Sequence, residues 1–391
     1  MFTVVDPAPQ SAVIKVIGLG GGGGNAVCHM IDNQVEGVEF ICANTDAQAL
    51  KNVNGGTALQ LGASVTQGLG AGADPDIGRQ SALEDRDRIA EVLGDANMVF
   101  ITAGMGGGTG TGSAAVVASV AKELGILTVA VVTRPFGFEG KKRAAIADAG
   151  IRELESTVDS LITIPNEKLI SVLGSDVSLV SAFAKANDVL HGAVKGISDL
   201  IMRPGMINLD FSDVKTVMGE MGMAMMGTGY AEGEGRAIEA AEAAVRSPLL
   251  DDVDLQGARG ILVNITANAE LTLGEFNDVG TTIEEFASDN ATVVVGTVID
   301  ESIGDELRVT VVAAGLGDIG MLTMPKKVVD NTSHDADKTT APHLTDYNEL
   351  DIPPAIRQRR AQTALAEKFQ QEEPDSMDYL DVPAFLRRQA D

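Results

Sequence analysis

The first half of the chain alternates short runs of Val and Ile with longer stretches in which apolar residues recur every three or four positions. Five of the short runs predict β-strands: Ala12–Ile17, Val38–Ala43, Met98–Thr102, Leu127–Thr133 and Ser160–Ile164. Because these runs are apolar at successive positions, both faces of each strand must be covered, as in a parallel sheet flanked by helices. The pattern therefore predicts an α/β fold, with an N-terminal arm at residues 1–12 and a Rossmann-like first domain at residues 13–176.

The second half begins with a predicted long helix. Helical spacing over Val177–Met202 lasts about seven turns, and Arg203-Pro204-Gly205 would end it. Two more helices are predicted at Lys215–Met226 and Gly235–Arg246, followed by strands at Gly260–Thr266, Ala291–Val298 and Glu306–Ala313. The methionines of the first are interpreted as core filler at helical spacing: Met218, Met221, Met223, Met225 and Met226. Residues 177–203 thus form a central helix, and residues 204–317 a second, smaller α/β domain.

From about Asp318 the periodic pattern gives way to polar, charged and Pro-containing sequence. Such sequence buries too little apolar surface to offset the entropy of ordering. We therefore predict a disordered tail, with a flexible linker at residues 318–376 and a partner-binding peptide at residues 377–391. Two pieces of the tail, Leu350–Arg360 and Leu380–Gln389, share Leu-Asp, a β-branched residue, proline and arginines. This pattern is typical of motifs that fold on a partner, and a solubilising linker is the alternative.

Charge and composition exclude several classes of protein. With 29 Lys and Arg against 56 Asp and Glu, the net charge is −27, which repels nucleic acid. The N-terminus has no basic region followed by an apolar run, and no segment has 18 uncharged apolar residues, so we expect a cytoplasmic protein without a membrane span. Cys28 and Cys42 are expected to be buried reduced thiols, and the four histidines show no metal-ligand spacing.

Two glycine segments each lie between a predicted strand and a predicted helix. Gly18–Gly24 with Asn25 precedes the helix Ala26–Ile31, and Gly104–Gly112 precedes the helix Ala114–Leu124. Unhindered backbone N–H groups at the start of a helix bind phosphate. Alone, the first segment also fits a Rossmann dinucleotide site, in which Asp46 would hold a ribose. Two such segments on adjacent loops suit a nucleoside triphosphate better.

Further polar residues are candidates for completing the site. Glu139 and Arg143 would contact the nucleotide or form a helix-surface pair, whereas Asn187 or Asp188 would select guanine, with Phe183 stacking on the base. Asn208, Asp210 and Asp213 would bind a cation or orient a water, or Ser212 or Asp213 would cap the following helix. The residues alone leave these alternatives open.

The combination of motifs closely resembles the tubulin/FtsZ family of GTPases, in particular the bacterial cell-division proteins of the FtsZ type. The resemblance rests on four segments: Gly104–Gly112, Asn44-Thr45-Asp46, Asn208-x-Asp210-x-x-Asp213 and Asp378–Arg388. It covers Val13 to Leu316 and resumes at the C-terminal peptide. Gly-Gly-Gly-Thr-Gly-Thr-Gly is the most specific of these motifs, whereas the first glycine segment fits many families.

The resemblance implies a GTPase that binds GTP or GDP, with Mg²⁺ bound mainly through the phosphates. It assigns phosphate contacts to Gly21, Gly22, Gly23, Gly24, Asn25, Gly108, Thr109 and Gly110. Glu139 and Arg143 would lie near the ribose and phosphates, and Phe183, Asn187 and Asp188 would face the guanine. The assigned nucleotide site also includes Asn44, Gly104, Gly107, Thr111 and Gly112.

The resemblance also implies head-to-tail filaments at a mid-cell division ring. Asn208, Asp210 and Asp213 of one subunit would act on the nucleotide of the next. The C-terminal peptide would bind an actin-like membrane anchor and other division proteins through Asp381, Pro383, Phe385, Leu386, Arg387 and Arg388. Division inhibitors are expected partners, membrane contact would be indirect, and Leu350–Arg360 is a hypothetical second docking site. An NAD-dependent oxidoreductase and a nucleotide-binding module without hydrolysis are the rival functions.

Overall fold

The computed structural model describes residues 12–316, except residues 52, 174–176, 204, 208, 220–221, 251–256 and 289. The strands are β1 Ile14–Leu19, β2 Val38–Asn44, β3 Thr57–Gln60, β4 Met98–Gly104, β5 Leu127–Arg134, β6 Ser160–Pro165, β7 Gly222–Glu232, β8 Gly260–Ala267, β9 Thr292–Ile299 and β10 Glu306–Leu316. The helices are α1 Gly20–Asp32, α2 Ala47–Leu50, α3 Ala63–Thr66, α4 Pro75–Glu84, α5 Arg86–Leu93, α6 Thr109–Glu123, α7 Lys141–Glu155, α8 Asn166–Leu173, α9 Leu179–Met202, α10 Phe211–Met218, α11 Arg236–Val245 and α12 Leu273–Phe286. The structure confirms the predicted α/β fold.

One sheet holds all ten of these strands, in the order β3-β2-β1-β4-β5-β6-β7-β10-β8-β9. The strands from β3 to β7 are paired in parallel, whereas β10 runs antiparallel to β7 and β8. In the first half, all five predicted strands are present, and β3 was not predicted. No helix within the described residues is both long and apolar enough to span a bilayer. The domain boundaries stay predictions.

Successive residues of the central strands enter different hydrophobic clusters. Val16 and Phe100 pack with α9, whereas their neighbours Ile17 and Ile101 pack with α6 on the other face. A third cluster joins α11 and α12 to the strands of the second half. This burial on both faces is the physical reason why the strands are apolar at successive positions. Of the two free cysteines, Cys42 is buried, which raises the pKa of its thiol to about 12, and Cys28 is only half-buried.

Helix α9 runs along one face of the sheet, from the carboxyl ends of the parallel strands, which we call the carboxyl edge, to their amino ends, the amino edge. Its prediction from the sequence is confirmed. Its 24 residues correspond to about 36 Å at 1.5 Å per residue. At its end, a Cβ placed on Gly37 would lie 2.9 Å from Met202 Cε, and Arg203 donates to Glu36 at 3.2 Å. Gly37 directly precedes β2, so the end of α9 lies at the edge formed by the amino ends of the parallel strands.

The predicted helix Lys215–Met226 is wrong in its second half. Helix α10 ends at Met218, and β7 begins at Gly222, whose φ is 135°. Met225 and Met226 enter different hydrophobic clusters, as neighbours on a strand do. Both are buried in the core, as predicted, but they lie on a strand, so the predicted helical spacing is wrong for them, whereas Met218 is buried on α10. The apolar run is compatible with either a helix or a strand. It forms a strand because β6 and β10 leave room for one strand between them, and β7 pairs with both.

Candidate functional site

The two glycine segments meet at the carboxyl ends of neighbouring strands. Strands β1 and β4 pair in register, with Leu19 opposite Ala103. A Cβ on Gly20 would lie 2.9 Å from Gly110 N, and one on Gly22 would lie 3.1 Å from Gly104 Cα. The segments are therefore in backbone contact, which larger residues would prevent.

Both following helices begin inside the glycine runs, earlier than predicted. Helix α1 begins at Gly20 instead of Ala26, and α6 begins at Thr109 instead of Ala114. The predicted starts were too late because glycine is a poor helix former and hides the helical pattern. At the start of α6, the alpha carbons of Gly108, which precedes the helix, and Gly112 pack against the backbone of Gly72–Pro75.

Other glycines face open space. A Cβ on Gly21, Gly24 or Gly107 would meet no atom within 4 Å. Gly21, Gly24 and Asn25 occupy positions i, i+3 and i+4 of α1, so they share one face of its first turns. The N–H groups at a helix start are unpaired and carry partial positive charge. This face and Gly107 therefore offer an anion an unobstructed backbone surface.

Threonine hydroxyls fix the second glycine loop. Thr111 Oγ1 accepts from Gly106 N at 2.8 Å, and Gly106 has a φ of 98°. Thr109 Oγ1 and Thr45 Oγ1 are 2.7 Å apart and hydrogen-bonded. These contacts hold the loop in one conformation at the start of α6.

In the Asn44–Asp46 segment, side chains accept hydrogen bonds from nearby backbone N–H groups and so stabilise the turn after β2. Buried Asn44 accepts at Oδ1 from Asp46 N at 3.2 Å. The Asp46 side chain accepts from Gln48 N at 2.8 Å and caps α2. Asp46 is thus engaged as a helix cap instead of being free for a ribose.

A cavity of about 280 Å³ adjoins the glycine loops. It brings together seven predicted site residues from separate parts of the chain: Gly22, Asn25, Gly104, Glu139, Arg143, Phe183 and Asn187. Six residues that were not predicted complete the lining: Met105, Thr133, Pro135, Asn166, Ala186 and Leu190. Backbone, charged and apolar groups thus converge at the carboxyl edge of the sheet, where open α/β sheets bind ligands.

Glu139 and Arg143 form an ion pair at the cavity wall. Arg143 Nε lies 3.1 Å from Glu139 Oε2, while Glu139 Oε1 accepts from Phe136 N at 2.9 Å. The side chain of Glu139 is 13% exposed and that of Arg143 is 50% exposed. The carboxylate therefore orients the arginine, whose charge remains accessible to an anion.

Phe183 is the aromatic residue that lines the cavity, and two neighbouring rings outside the lining pack next to it. Buried Phe136 stacks on Phe138 with ring centroids 5.0 Å apart, and its edge meets Phe183 at 5.3 Å. Phe183 is itself 41% exposed. Its free surface can stack on a planar base.

Asp188 does not line the cavity, although its neighbour Asn187 does. Asp188 Oδ1 lies 2.9 Å from His29 Nε2 on α1, and its Oδ2 lies 3.8 Å from Lys185. The carboxylate proposed to read guanine thus contacts α1 and Lys185 in this structure and does not line the cavity.

Asn166 is the clearest site residue that the sequence reasoning missed. It is 4% exposed and lines the cavity, and its Oδ1 is buried without a hydrogen-bond partner in the described part of the chain. A buried polar atom without a partner costs free energy, so a ligand that donates to it would bind well. Asn166 directly follows β6, and the rule that ligands bind at the carboxyl ends of parallel strands was the available signal.

The acidic segment begins helix α10. Asp210 accepts from Asp213 N at 2.9 Å and caps the helix, so the predicted capping by Ser212 or Asp213 is wrong. Asp210 and Asp213 are exposed, and neither lines the cavity. Asn208 lies outside the described residues, as do Leu350–Arg360 and the C-terminal peptide.

The acidic segment and the cavity lie at opposite edges of the parallel strands. Residues near the end of α10, Lys215 and Gly219, line a hollow together with Leu127 and Asp159. Leu127 begins β5 and Asp159 precedes β6, so α10 lies at the amino edge. The cavity lies at the carboxyl edge, and α9 connects the two.

Comparisons with known proteins agree with this geometry. Residues 13–174 match the family model described as "Tubulin/FtsZ family, GTPase domain", and residues 222–317 match "FtsZ family, C-terminal domain". The cell division protein FtsZ of Pseudomonas putida is 66% identical over 402 residues, covering 100% of both chains. That of Coxiella burnetii is 59% identical over 390 residues, covering 99% of each chain.

Solved structures extend the comparison to the fold. An empty FtsZ dimer from M. jannaschii has a TM-score of 0.76 at 44% identity, covering 79% of this chain and 90% of that one. A GTPγS-bound protofilament of CetZ2 from Haloferax volcanii has a TM-score of 0.69 at 19% identity, covering 78% and 94%, and shows likeness of fold alone. The chain therefore belongs to the FtsZ family of cell division proteins, whose first domain is the GTPase domain of the tubulin/FtsZ family.

Proposed function

We propose that this cell-division GTPase hydrolyses GTP only between subunits, with the nucleotide in the cavity of one subunit and Asp210 and Asp213 supplied by the next. One observation carries the proposal: the cavity lies at the carboxyl ends of the parallel strands, whereas helix α10, which carries the acidic pair, lies at their amino ends. A single chain is unable to bring them together. In a head-to-tail pair, the amino edge of one subunit faces the carboxyl edge of its neighbour.

The cavity supports a specific placement of the nucleotide. The phosphates would lie on the open face of Gly21, Gly24 and Asn25 and on Gly107. The N–H of Gly21 is one of the unpaired donors at the helix start, and the missing side chains of Gly24 and Gly107 leave room for the phosphates. The base would lie against Phe183, and Asn187 beside it offers an amide for recognition. The other proposed contacts, in the ribose region and around the loops, are Glu139, Arg143, Asn166, Asn44, Gly104, Gly108, Thr109, Gly110, Thr111 and Gly112.

Hydrolysis would follow the usual physics of phosphoryl transfer, in which positioning and charge stabilisation supply most of the rate. Asp210 and Asp213 of the next subunit would orient and polarise the attacking water, and Asn208 would help to position the nucleotide. The cavity carboxylate Glu139 is already engaged by Arg143, which fits a Mg²⁺ held mainly by phosphate oxygens. When bound, this ion neutralises phosphate charge.

An interface between two different edges does not close on itself. A head-to-tail assembly of any length retains one free carboxyl edge at one end and one free amino edge at the other, so addition continues and produces filaments. GTP in the interface would support assembly, and hydrolysis would weaken it. This arrangement accounts for filaments at a division ring, with GTP controlling their length.

The tail would connect filaments to other division proteins. The C-terminal peptide carries the residues proposed to bind the membrane anchor: Asp381, Pro383, Phe385, Leu386, Arg387 and Arg388. Contact with the membrane would be indirect, and a cytoplasmic location is part of this proposal. Leu350–Arg360 lacks the aromatic residue of the C-terminal peptide and is proposed as a second docking site. Separate peptides should show which piece binds a division partner saturably.

A mixing experiment tests hydrolysis between subunits. Asp213→Asn should bind GTP but not hydrolyse it, whereas Gly21→Val should lose GTP binding and retain its acidic pair. Each variant alone should be inactive. An equimolar mixture should regain hydrolysis, because about one interface in four combines an intact cavity with an intact acidic pair. Ser212→Ala, the exposed neighbour of Asp213, is the matched control and should behave as wild type.

Phosphate release and light scattering should be followed against protein concentration. The proposal predicts a critical concentration below which wild-type hydrolysis vanishes. A nucleotide-binding module would release no phosphate, and an oxidoreductase would be indifferent to GTP. Normal hydrolysis by Asp213→Asn, or a mixture as inactive as its components, would refute catalysis between subunits.

A further inference from the structure

The chain between α9 and α10 lies along β9, the last strand of the sheet order. We name residues 205–209 the connecting segment; Asn208 of this segment lies outside the described residues. A Cβ on Gly205 would collide with Thr297 O, and one on Gly296 would lie 3.0 Å from Leu209 Cδ1. Gly205 and Leu209 thus contact neighbouring residues of β9, so the segment packs directly on this strand.

Thr297 binds the middle of the connecting segment by hydrogen bonds in both directions. Ile207 N donates to Thr297 Oγ1 at 3.0 Å, and Thr297 N donates to Ile207 O at 3.3 Å. Thr297 is buried, whereas Ile207 and Met206 are exposed. The two bonds fix the peptide groups on both sides of Ile207, and the second of these peptide groups links Ile207 to Asn208.

The two ends of the connecting segment are fixed as well. At the end of α9, Arg203 Nε lies 3.3 Å from Asp199 Oδ1, and its Nη1 lies 3.9 Å from Oδ2 of Asp300, which directly follows β9. At the start of α10, Asp210 caps the helix. The hydrogen bonds of Thr297 lie between these two anchors, so they hold the backbone that leads from α9 to Asp210 and Asp213.

We propose, on the basis of the proposed catalysis between subunits, that Thr297 is a positioning residue for hydrolysis. By holding Ile207, it keeps Asp210 and Asp213 in the place from which they reach the nucleotide of the next subunit. Thr297 does not line the cavity, which lies at the other edge of the sheet. Its effect should therefore follow the subunit that supplies the acidic pair, and GTP binding should not depend on it.

The first test is GTP hydrolysis by variants of the full chain at saturating GTP. Thr297→Val keeps the shape of the side chain and removes the oxygen that accepts from Ile207 N. It should lower kcat about fivefold to 50-fold, because a displacement of about 1 Å can cost a catalytic arrangement about 100-fold. Its affinity for GTP should equal that of wild type. Thr297→Ser retains the oxygen and should hydrolyse GTP as wild type does.

Thr310→Val is the matched control for loss of a buried hydroxyl. Thr310 is buried on β10, and its Oγ1 lies 3.4 Å from that of Thr228 on β7. This variant should keep the wild-type kcat, although it undergoes the same chemical change as Thr297→Val. An effect of Thr297→Val alone would therefore be due to the bond with the connecting segment.

Mixtures show which subunit carries the defect. Gly21→Val lacks nucleotide binding but has an intact connecting segment, whereas Asp213→Asn has an intact cavity and a defective acidic pair. Mixed equally with Gly21→Val, Thr297→Val should recover to about a quarter of wild-type hydrolysis, because about one interface in four joins its cavity to an intact acidic pair. Mixed with Asp213→Asn, it should not recover.

Several results would overturn the proposal: hydrolysis by Thr297→Val at the wild-type rate, an equal loss in Thr310→Val, or recovery with Asp213→Asn instead of Gly21→Val. If Thr297→Val does not fold, Gly205→Ala replaces it, because its methyl group would collide with Thr297 O and displace the same segment. If Gly21→Val and Asp213→Asn do not complement each other, catalysis between subunits is itself wrong, and this inference fails with it.

Discussion

Adding a methyl group at Gly21 should separate nucleotide binding from folding. Gly21 and Gly23 lie in the same first turn of α1 and have opposite surroundings. A Cβ on Gly21 meets nothing within 4 Å, whereas one on Gly23 collides with Thr102 O and lies 3.0 Å from Gly18 C. Gly21→Ala should therefore affect only a ligand bound on the open face of α1. Gly23→Ala is the matched variant, in which the added methyl group disturbs the packing of the protein.

The magnitudes follow from these surroundings. Alanine in place of glycine within a helix is favourable by about 0.5–1 kcal/mol, so Gly21→Ala should be as stable as wild type or slightly more stable. If its methyl displaces one hydrogen bond to a phosphate, worth about 1.5–3 kcal/mol, GTP affinity falls about tenfold to 150-fold. Gly23→Ala should cost about 1–3 kcal/mol through overpacking, or about 2–12 °C in melting temperature.

Thermal melting of the nucleotide-free chain and GTP binding by calorimetry should be measured on both variants. We expect an unchanged or raised melting temperature with weak binding for Gly21→Ala, and a lowered melting temperature for Gly23→Ala. Wild-type affinity in a correctly folded Gly21→Ala would show that no phosphate lies on the open face. It would refute the placement of the nucleotide on α1.

Three further predictions concern capping, a buried amide and a buried arginine. Asp210→Ala should lose about 0.5–2 kcal/mol of stability with its helix cap, whereas Asp213→Ala should stay within about 0.5 kcal/mol of wild type; equal melting temperatures would contradict the assignment of the cap. Asn166→Leu should weaken GTP binding without destabilising the fold, since it removes a buried oxygen that has no partner in the described chain; unchanged affinity in calorimetry would exclude Asn166 from the site. Arg236→Met should cost about 1.5–3 kcal/mol, because buried Arg236 donates to Glu275 at 2.7 Å. Arg236 lowers the pKa of Glu275 from 4.5, so this stability is present above pH 4.5 and is lost as the pH falls through the lowered pKa; denaturation against pH should show a shallower acid loss in the variant.

Much of the first half was predictable from local pattern. Apolar runs at successive positions identified five strands of the parallel sheet, and the glycine segments were correctly placed at the carboxyl ends of β1 and β4. Helix α9 was recognised because its periodicity continues for many turns. These features depend on neighbours along the chain, which the sequence displays directly.

Other features depend on residues that are distant in the chain. The run around Met225 and Met226 is compatible with a helix, and only a vacant position between β6 and β10 makes it a strand. His29 and Asp188 are separated by 159 positions, and nothing in either local pattern indicates their contact. Asn166 is a site residue only because Glu139 and Phe183, which are distant in the chain, form the cavity wall together with it.

The sequence by itself determined which chemical groups this protein has: two glycine loops for phosphate, and an acidic segment after a long helix. Only the tertiary structure decided where these groups lie relative to one another. The parallel strand order places both glycine loops at one edge, and the length of α9 carries Asp210 and Asp213 to the other. The periodicity of the sequence shows which face of a helix or strand is buried. Strand order and helix direction, which depend on the whole fold, determine whether a residue lies at the carboxyl or the amino ends of the parallel strands.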